Sequence, residues 1–342
     1  MFEEVERLPG APQLHRWADW AELLAYTSAT GTLSMPELAE TTERRTDFIA
    51  SESEDDQDSK DPESEPLVQE SVGEPAAYRD ALAQRAGDVL SYLLDRASRY
   101  GAAYPFEIDP ENRTLSLRAP SDSRRIYILL LACACLRYVG KTDRTKLTAR
   151  FELLGLETMK RLLPPEAEVH LFGKNPLARG RYPTLLVDKI SQLAADLGEQ
   201  VRATASDFEP GDQGDNGLDL VAWIPFNDAL PGKVTIFAQA ACTPEWVSKQ
   251  HSSHASSWSS VMTLTADPVN MVLIPYDYRR PNDDWYTRRH IHKSVVVDRY
   301  RMIGLLSTGP DSGDPIVLDQ ELLDALDLAR LDDVRQQESA DL

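Results

Sequence analysis

The sequence is poor in cysteine and has no long hydrophobic run, and each absence excludes a class of protein. Its 342 residues include 3 cysteines, too few for a disulfide framework, so a reducing compartment is expected. The longest apolar run, about 14 residues from Ile126 to Val139, is shorter than the ~20 residues that span a bilayer. The acidic N-terminus does not resemble a signal peptide. We therefore expect a cytoplasmic protein without a membrane partner.

The sequence also lacks the short motifs of several common enzyme classes. It contains no GxxxxGK[ST] loop, no GxGxxG turn and no GxSxG elbow, so neither a nucleotide-binding loop nor a serine-hydrolase nucleophile is expected. Basic residues are outnumbered, with 36 Lys plus Arg against 56 Asp plus Glu and a net charge of −20. Such a balance normally argues against a nucleic-acid partner, because phosphate binding depends on Lys and Arg.

The negative charge, however, lies outside the middle of the chain. Residues 40–75 contain 13 acids and 3 bases, residues 319–342 contain 8 and 2, and residues 76–318 contain 29 of each. Residues 42–75 have too few apolar side chains to offset the entropy of ordering, which predicts an acidic disordered linker. An alternative is that this segment mimics DNA and covers a basic groove. Residues 319–342 are interpreted as an acidic C-terminal tail, and the neutral middle remains open to a phosphate partner.

Hydrophobic periodicity predicts a small helical element in residues 1–41, an α-rich platform in 76–180 and an α/β domain in 181–318. Helices are predicted at 13–26, 35–41, 76–100, 124–139, 145–163 and 182–197, and a β-hairpin is predicted around 109–112. Strands are predicted at 218–226, 233–241 and 270–276, with a helix from Pro244 before the last strand. The platform shows no chemistry in its sequence and is interpreted as a region that senses a partner protein or a trigger.

Two polar residues lie where the first two of these strands are expected to meet. Asp219 follows Gly217 at the start of one strand, and Gln239 lies near the end of the next. Because a short turn joins the strands, antiparallel pairing would bring Asp219 and Gln239 together. Carboxylate and amide oxygens are suitable ligands for Mg²⁺. The pattern therefore predicts a divalent-cation site at this edge of the sheet.

This region, about residues 182–278, resembles the PD-(D/E)xK nuclease superfamily. The resemblance implies a restriction-endonuclease-like mixed sheet with flanking helices, and a nuclease that requires Mg²⁺ or Mn²⁺. DNA is the expected substrate, and a bacterial antiphage or restriction system is the expected setting. It also implies that Asp219 is the metal-binding aspartate and that Gln239 replaces the family's Glu, as in a branch with Gln-x-Lys. Asp188 would occupy the position of the family's helical Glu.

One departure from the family pattern leaves two functions open. Where the family has Lys two residues after the strand carboxylate, this chain has Ala241. Lys249 on the following helix is the candidate for a displaced catalytic lysine that orients water or stabilises phosphate charge. Without such a lysine, the alternative is a catalytically inactive nuclease fold that binds nucleic acid or a partner protein. Asp212 or Asp215 in the preceding acidic loop could add an outer-sphere metal contact, and the sequence does not select between them.

A basic stretch follows the last predicted strand. Residues 279–301 contain seven bases and three acids, interleaved with Trp285, Tyr286 and Tyr300. Cations that contact phosphate beside rings that stack on bases are typical of nucleic-acid surfaces. An equally simple interpretation is a solvated face with packing aromatic rings. The predicted phosphate contacts are Arg279, Arg280, Arg288, Arg289 and Lys293.

Overall fold

The computed structural model describes residues 1–9, 13–52 and 75–307 of a mixed α/β protein. Its contacts divide the chain into two compact units. Among the described residues, one unit comprises residues 1–143 and 278–284, and the other comprises residues 144–277 and 285–307. No helix in the described ranges is long and apolar enough to cross a membrane.

The first unit combines helices with a small antiparallel sheet. Its helices are α1 Leu14–Thr27, α2 Met35–Glu52, α3 Pro75–Tyr100 and α4 Asp122–Ala134, and its strands are β1 Thr32–Ser34, β2 Phe106–Asp109 and β3 Thr114–Leu117. Strands β2 and β3 form the predicted hairpin, and β1 pairs with the other edge of β3. The apolar stripes of α1 and α3 are buried, which is why these amphipathic segments form helices here.

A buried charge cluster lies in the core of this unit. The Arg96 guanidinium on α3 donates a hydrogen bond of 2.8 Å to Asp19 and lies 2.9 Å from a carboxylate oxygen of Glu22. The hydroxyls of Tyr104 and Tyr127 donate to Glu22 at 2.8 and 2.9 Å. A buried charge is tolerated only when it is paired and hydrogen-bonded. The three charged side chains therefore depend on one another for burial.

The second unit is organised around a five-stranded mixed sheet. Its helices are α5 Lys141–Leu162, α6 Leu186–Leu197, α7 Trp246–Lys249, α8 Ala255–Trp258 and α9 Arg299–Ser307, and its strands are β4 Glu168–Leu171, β5 Leu220–Ile224, β6 Val234–Ala240, β7 Val269–Leu273 and β8 Val295–Val297. The strand order is β4-β5-β6-β7-β8. Strands β4, β5 and β6 are antiparallel neighbours, whereas β6, β7 and β8 run parallel.

Helices cover both faces of this sheet. On one face Gly155 of α5 lies so close that an added Cβ would be 3.4 Å from the side chains of Leu220 and Leu273. On the other face the apolar residues of α6 pack with Val221 and Phe237 in one buried cluster. Residues of opposite faces alternate along each strand. Asp219 and Gln239 therefore belong to the face that α6 covers.

Most predicted elements are confirmed, but the division of the chain differs from the prediction. The boundary expected after residue 180 lies instead after Asp143, because α5 packs on the β5–β7 sheet and belongs to the second unit. Residues 1–41 and 76–143 share one unit. Helix α2 continues to Glu52, so residues 42–52 are helical; the rest of the predicted linker and the tail at 319–342 lie outside the described residues.

Candidate functional site

Asp219 and Gln239 lie directly opposite each other at the edge of the sheet. In the β5–β6 register Leu220 pairs with Ala238, and the amide of Asp219 donates to the carbonyl of Ala238 at 3.1 Å. The side-chain nitrogen Nε2 of Gln239 donates to Asp219 Oδ2 at 2.7 Å. The backbone N–H of Ala240 donates to the same oxygen at 2.7 Å. The expected proximity of these two residues is confirmed.

Asp219 is a buried carboxylate with a raised pKa. Burial is the largest of the effects that together raise the pKa of Asp219 to about 7, and the negative charges of Asp215 and Glu152 act in the same direction. The hydrogen bond from Ala240 and the positive charge of Lys249 act in the opposite direction. A carboxyl group held in this way is typical of functional sites, because its environment is arranged to attract positive charge. The structure thus favours Asp215 over Asp212 in the acidic loop and adds Glu152 to the site.

Glu152 lies on α5, in the middle of the second unit's first helix. Its carboxylate accepts a hydrogen bond of 2.9 Å from the amide of Asn175, whose nitrogen also donates to the carbonyl of Ala149. Burial raises the pKa of Glu152, and the charge of Asp215 adds to this effect. Glu152 is therefore the helical acid whose charge acts on Asp219.

Asp188, the helical acid predicted from the sequence, is exposed in the first turn of α6. Its neighbour Lys189 reaches the acidic loop, where its ammonium group donates to the carbonyls of Gly214 and Gln213 at 2.8 and 3.3 Å. Lys189 is 2% exposed and lies over the ring of Phe172. Burial lowers the pKa of Lys189, which the charges of Asp215 and Asp212 partly oppose. Glu152, and not Asp188, is therefore the helical acid of the candidate site.

The acidic loop before β5 orients Asp215 toward Asp219. Asp215 Oδ1 accepts the backbone N–H of Gly217 at 2.8 Å. Its other oxygen, Oδ2, lies 3.4 Å from the point where a Cβ on Gly173 would be, and Asp219 Oδ1 lies 3.6 Å from that same point. The two oxygens that are not used by Gly217, Gln239 or Ala240 therefore face one space, which stays open because residue 173 is glycine.

This donor set fits a hard divalent cation. The space beside Gly173 is bordered by carboxylate oxygens, and oxygen is the ligand type that Mg²⁺ and Mn²⁺ prefer. Within the described ranges no three His, Cys, Asp or Glu side chains form a group that could hold a metal ion by themselves. A cation here would therefore need the Gln239 amide oxygen, water or a phosphate oxygen in addition to the two aspartates.

Lys249 ends α7 and is exposed. Its backbone carbonyl accepts a hydrogen bond of 2.7 Å from Ser252, whose hydroxyl also lies 2.7 Å from Gln239 Oε1. The Lys249 charge acts on the Asp219 carboxyl. Ala241, at the family's lysine position, is fully buried and makes a backbone hydrogen bond to β7. Lys249 is thus placed beside the site by the segment that follows β6.

The predicted phosphate contacts are divided between the two units. Arg279 and Arg280 belong to the first unit, where Arg279 is 7% exposed and its guanidinium forms an ion pair of 2.6 Å with Asp283. This geometry removes Arg279 from the predicted phosphate contacts. Arg288, Arg289 and Lys293 belong to the second unit and are exposed.

Hydrogen bonds hold the segment with Arg288, Arg289 and Lys293 beside α7. Gln250 is fully buried, and its side chain donates to the carbonyl of His290 at 2.7 Å and accepts the N–H of His292 at 3.0 Å. Asn270 of β7 donates both to the Gln250 carbonyl and to the Ser294 hydroxyl, at 2.9 and 2.6 Å. Because Gln250 directly follows Lys249, residues 290–294 are held next to the segment that bears the candidate lysine.

Comparison with family models, with curated proteins and with solved structures found no match.

Proposed function

We propose that the chain is a metal-dependent nuclease that hydrolyses phosphodiester bonds of nucleic acid, with DNA as the substrate. The observation that carries the proposal is the Asp219–Gln239 pair: a buried carboxylate and an amide held 2.7 Å apart at a sheet edge. The resemblance to the PD-(D/E)xK superfamily is consistent with this pair and with the helix, strand, strand, helix, strand order formed by α6, β5, β6, α7–α8 and β7. The restriction-endonuclease-like fold is part of the proposal.

In this proposal Mg²⁺ or Mn²⁺ binds the facing oxygens of Asp219 and Asp215. The Gln239 amide oxygen, which accepts from Ser252 in the structure, would complete the set once the amide turned toward Asp219. When bound, such a cation polarises a phosphate oxygen and lowers the pKa of a coordinated water. Glu152 adds negative charge that favours the cation. Lys249 supplies a positive charge to orient the attacking water or to stabilise charge on the phosphate. Asp219 thus supplies the buried negative charge of the site.

Exposed cations near the site would hold the nucleic-acid backbone. Arg288, Arg289 and Lys293 lie on the segment that Gln250 and Asn270 fasten next to Lys249. Each phosphate contact by such a residue makes binding dependent on salt, because counterions are released from the nucleic acid. We infer that this segment contacts the nucleic-acid strand on one side of the cleavage site. The setting in an antiphage or restriction system, and a partner protein bound by the first unit, follow from the resemblance alone.

A DNA cleavage assay with the Asp219→Ala variant tests the proposal. Wild type, Asp219→Ala and Glu152→Gln proteins are incubated with supercoiled, linear and single-stranded DNA in Mg²⁺, Mn²⁺ or EDTA. The matched control is Asp267→Ala, because Asp267 is an exposed aspartate before β7, at the opposite end of the sheet. We expect cation-dependent cleavage by wild type and the control, with a loss of at least ~100-fold in Asp219→Ala, since electrostatic groups of this kind contribute several kcal/mol. Equal cleavage by Asp219→Ala contradicts the proposal.

A second candidate function is a non-catalytic nuclease fold that binds nucleic acid or a partner protein. It is favoured by one observation, the buried Ala241 at the family's lysine position. Calorimetric titration with MnCl₂ separates the two functions. Binding of Mn²⁺ that Asp219→Ala abolishes supports the enzyme, whereas retention of DNA without any dependence on the cation supports the binding protein.

A further inference from the structure

A chain of three short polar contacts links Asp219 to the backbone of α7. Asp219 Oδ2 lies 2.7 Å from Nε2 of Gln239, and Gln239 Oε1 lies 2.7 Å from the hydroxyl oxygen of Ser252. The same hydroxyl oxygen lies 2.7 Å from the carbonyl oxygen of Lys249. All three separations are hydrogen-bond distances, so each requires a hydrogen between its two atoms.

The groups in this chain have too few hydrogens for the three contacts. A serine hydroxyl carries one hydrogen, and a glutamine amide donates only from its nitrogen. With the Gln239 nitrogen toward Asp219, the single hydrogen of Ser252 must be shared between the Gln239 and Lys249 oxygens or be given to one of them. At least one of the two 2.7 Å contacts is therefore weaker than a full hydrogen bond.

Turning the Gln239 amide by half a rotation moves this deficit to Asp219. Nε2 then donates to the Ser252 hydroxyl, and the hydroxyl donates to the Lys249 carbonyl, so both contacts at that end are satisfied. The Gln239 oxygen now faces Asp219 Oδ2, and these two oxygens require either a proton on Asp219 or a metal cation between them. The two ends of an amide have nearly the same shape, so the turn requires no other movement.

We propose that Ser252 is a positioning residue that allows the Gln239 amide to turn its oxygen toward Asp219 when a divalent cation binds. This inference rests on the proposed function, since it concerns the same cation. In wild type the turn exchanges the Gln239–Asp219 hydrogen bond for one between Gln239 and Ser252. Without the Ser252 hydroxyl, the turn would give up the first hydrogen bond and gain none.

The surroundings of Ser252 fix its hydroxyl in this position. Gly217 has a φ of +72°, and a Cβ on it would lie 2.2 Å from the Cβ of Ser252. Serine 252 therefore packs directly against the backbone that leads into Asp219. The indole nitrogen of Trp258 donates to the Ser252 carbonyl at 3.2 Å and holds the residue from the other side. A side chain held in this way keeps its hydroxyl available to Gln239 in either orientation of the amide.

A double-mutant cycle on the affinity for Mn²⁺ tests the inference. The dissociation constant for MnCl₂ is measured by calorimetry on wild type, Ser252→Ala, Gln239→Glu and the double variant. The matched control is Ser248→Ala, because the Ser248 hydroxyl is exposed and donates only to the backbone carbonyl of Glu245. We expect Ser252→Ala to weaken Mn²⁺ binding about tenfold, the effect of one hydrogen bond. The same substitution in the Gln239→Glu background should change the affinity less than about threefold, because a carboxylate has no nitrogen to turn.

The outcomes separate this inference from the proposed function. Wild type that does not bind Mn²⁺ contradicts the proposed function. Wild type that binds Mn²⁺ with an affinity unchanged by Ser252→Ala overturns only the role of Ser252, as does an equal loss in both backgrounds. If Ser252→Ala does not fold, NMR of ¹⁵N-glutamine-labelled wild type decides, with the Gln239 amide signal identified by its loss in Gln239→Glu. That signal should shift on addition of MgCl₂, and an unchanged signal overturns the inference.

Discussion

Replacing Asp219 by asparagine should stabilise the folded protein at alkaline pH. Burial raises the pKa of Asp219 from 3.8 to about 7, so at pH 8 the fold contains a carboxylate that would be more stable in water. A shift of about three pKa units corresponds to about 4 kcal/mol, as an order of magnitude. Asparagine has the same shape, and its amide oxygen can accept the two 2.7 Å hydrogen bonds from Gln239 and Ala240. The substitution removes the charge and keeps those contacts.

The pH dependence follows from the direction of the shift. Below about pH 4 the Asp219 carboxyl is protonated in both the folded and the unfolded chain, so it adds no pH-dependent penalty. Between about pH 4 and pH 7 the folded chain retains a proton that the unfolded chain has lost. The free energy of unfolding of wild type therefore falls by up to ~1.4 kcal/mol per pH unit relative to Asp219→Asn. Above about pH 7 the difference is constant.

Thermal and guanidinium unfolding at pH 4, 6 and 8.5 in EDTA would measure this difference. At pH 8.5 the melting temperature of Asp219→Asn should exceed that of wild type by on the order of 10 °C, and the gap should narrow as the pH falls. Asp267→Asn is the control, because Asp267 is exposed and its charge is solvated. A gap that is absent at pH 8.5, or that does not change with pH, would refute the assignment of Asp219 as a buried anion.

Three further predictions concern the described contacts. Gly173→Ala should leave the melting temperature within a few degrees of wild type, because the new methyl group would lie at ordinary contact distances of 3.4 Å from Asp215 Oδ2 and 3.6 Å from Asp219 Oδ1. Calorimetry should nevertheless show Mn²⁺ binding at least ~10-fold weaker, since the methyl group occupies the space of the cation. Gly217→Ala should lower the free energy of unfolding by about 3 kcal/mol, since it combines a φ of +72° with overlap against Ser252, and unchanged guanidinium unfolding would contradict that packing. Arg96→Met should cost about 3–5 kcal/mol by leaving Glu22 buried without its cation, and a loss below ~1 kcal/mol would show that the pairing is not required.

The sequence was sufficient to predict the part of the site that local rules determine. Asp219 and Gln239 lie on consecutive strands joined by a short turn, so antiparallel pairing determines their separation. The sequence also contains enough information to predict the burial of Lys189, because this residue lies three positions after Leu186 on the buried stripe of α6. Asp188 points away from that stripe. The phase of this helix therefore places Asp188 on its exposed side.

The rest of the site depends on contacts between distant segments. Glu152 reaches the site from α5 through Asn175, 23 residues later in the chain, and no local pattern joins the two. Gly173 matters only because Asp215 and Asp219 converge on it in space. Similarly, a count of charges in residues 279–301 could not show that Arg279 is buried against Asp283. The sequence predicts a boundary after residue 180 and not after Asp143, because the pattern of helix α5 is amphipathic whichever unit covers its apolar face.

The β5–β6 register has a consequence for how this site can change during evolution. A shift of one residue between the strands would move Gln239 to the other face of the sheet and would also remove Phe237, which is fully buried, from the cluster that it forms with α6. The alignment of the two functional side chains is thus protected by the same packing that keeps the protein folded. Substitution can remove the chemistry of either residue, but gradual drift of their relative position is excluded as long as the sheet persists. A variant that loses one of the two residues should therefore keep the backbone geometry of the site.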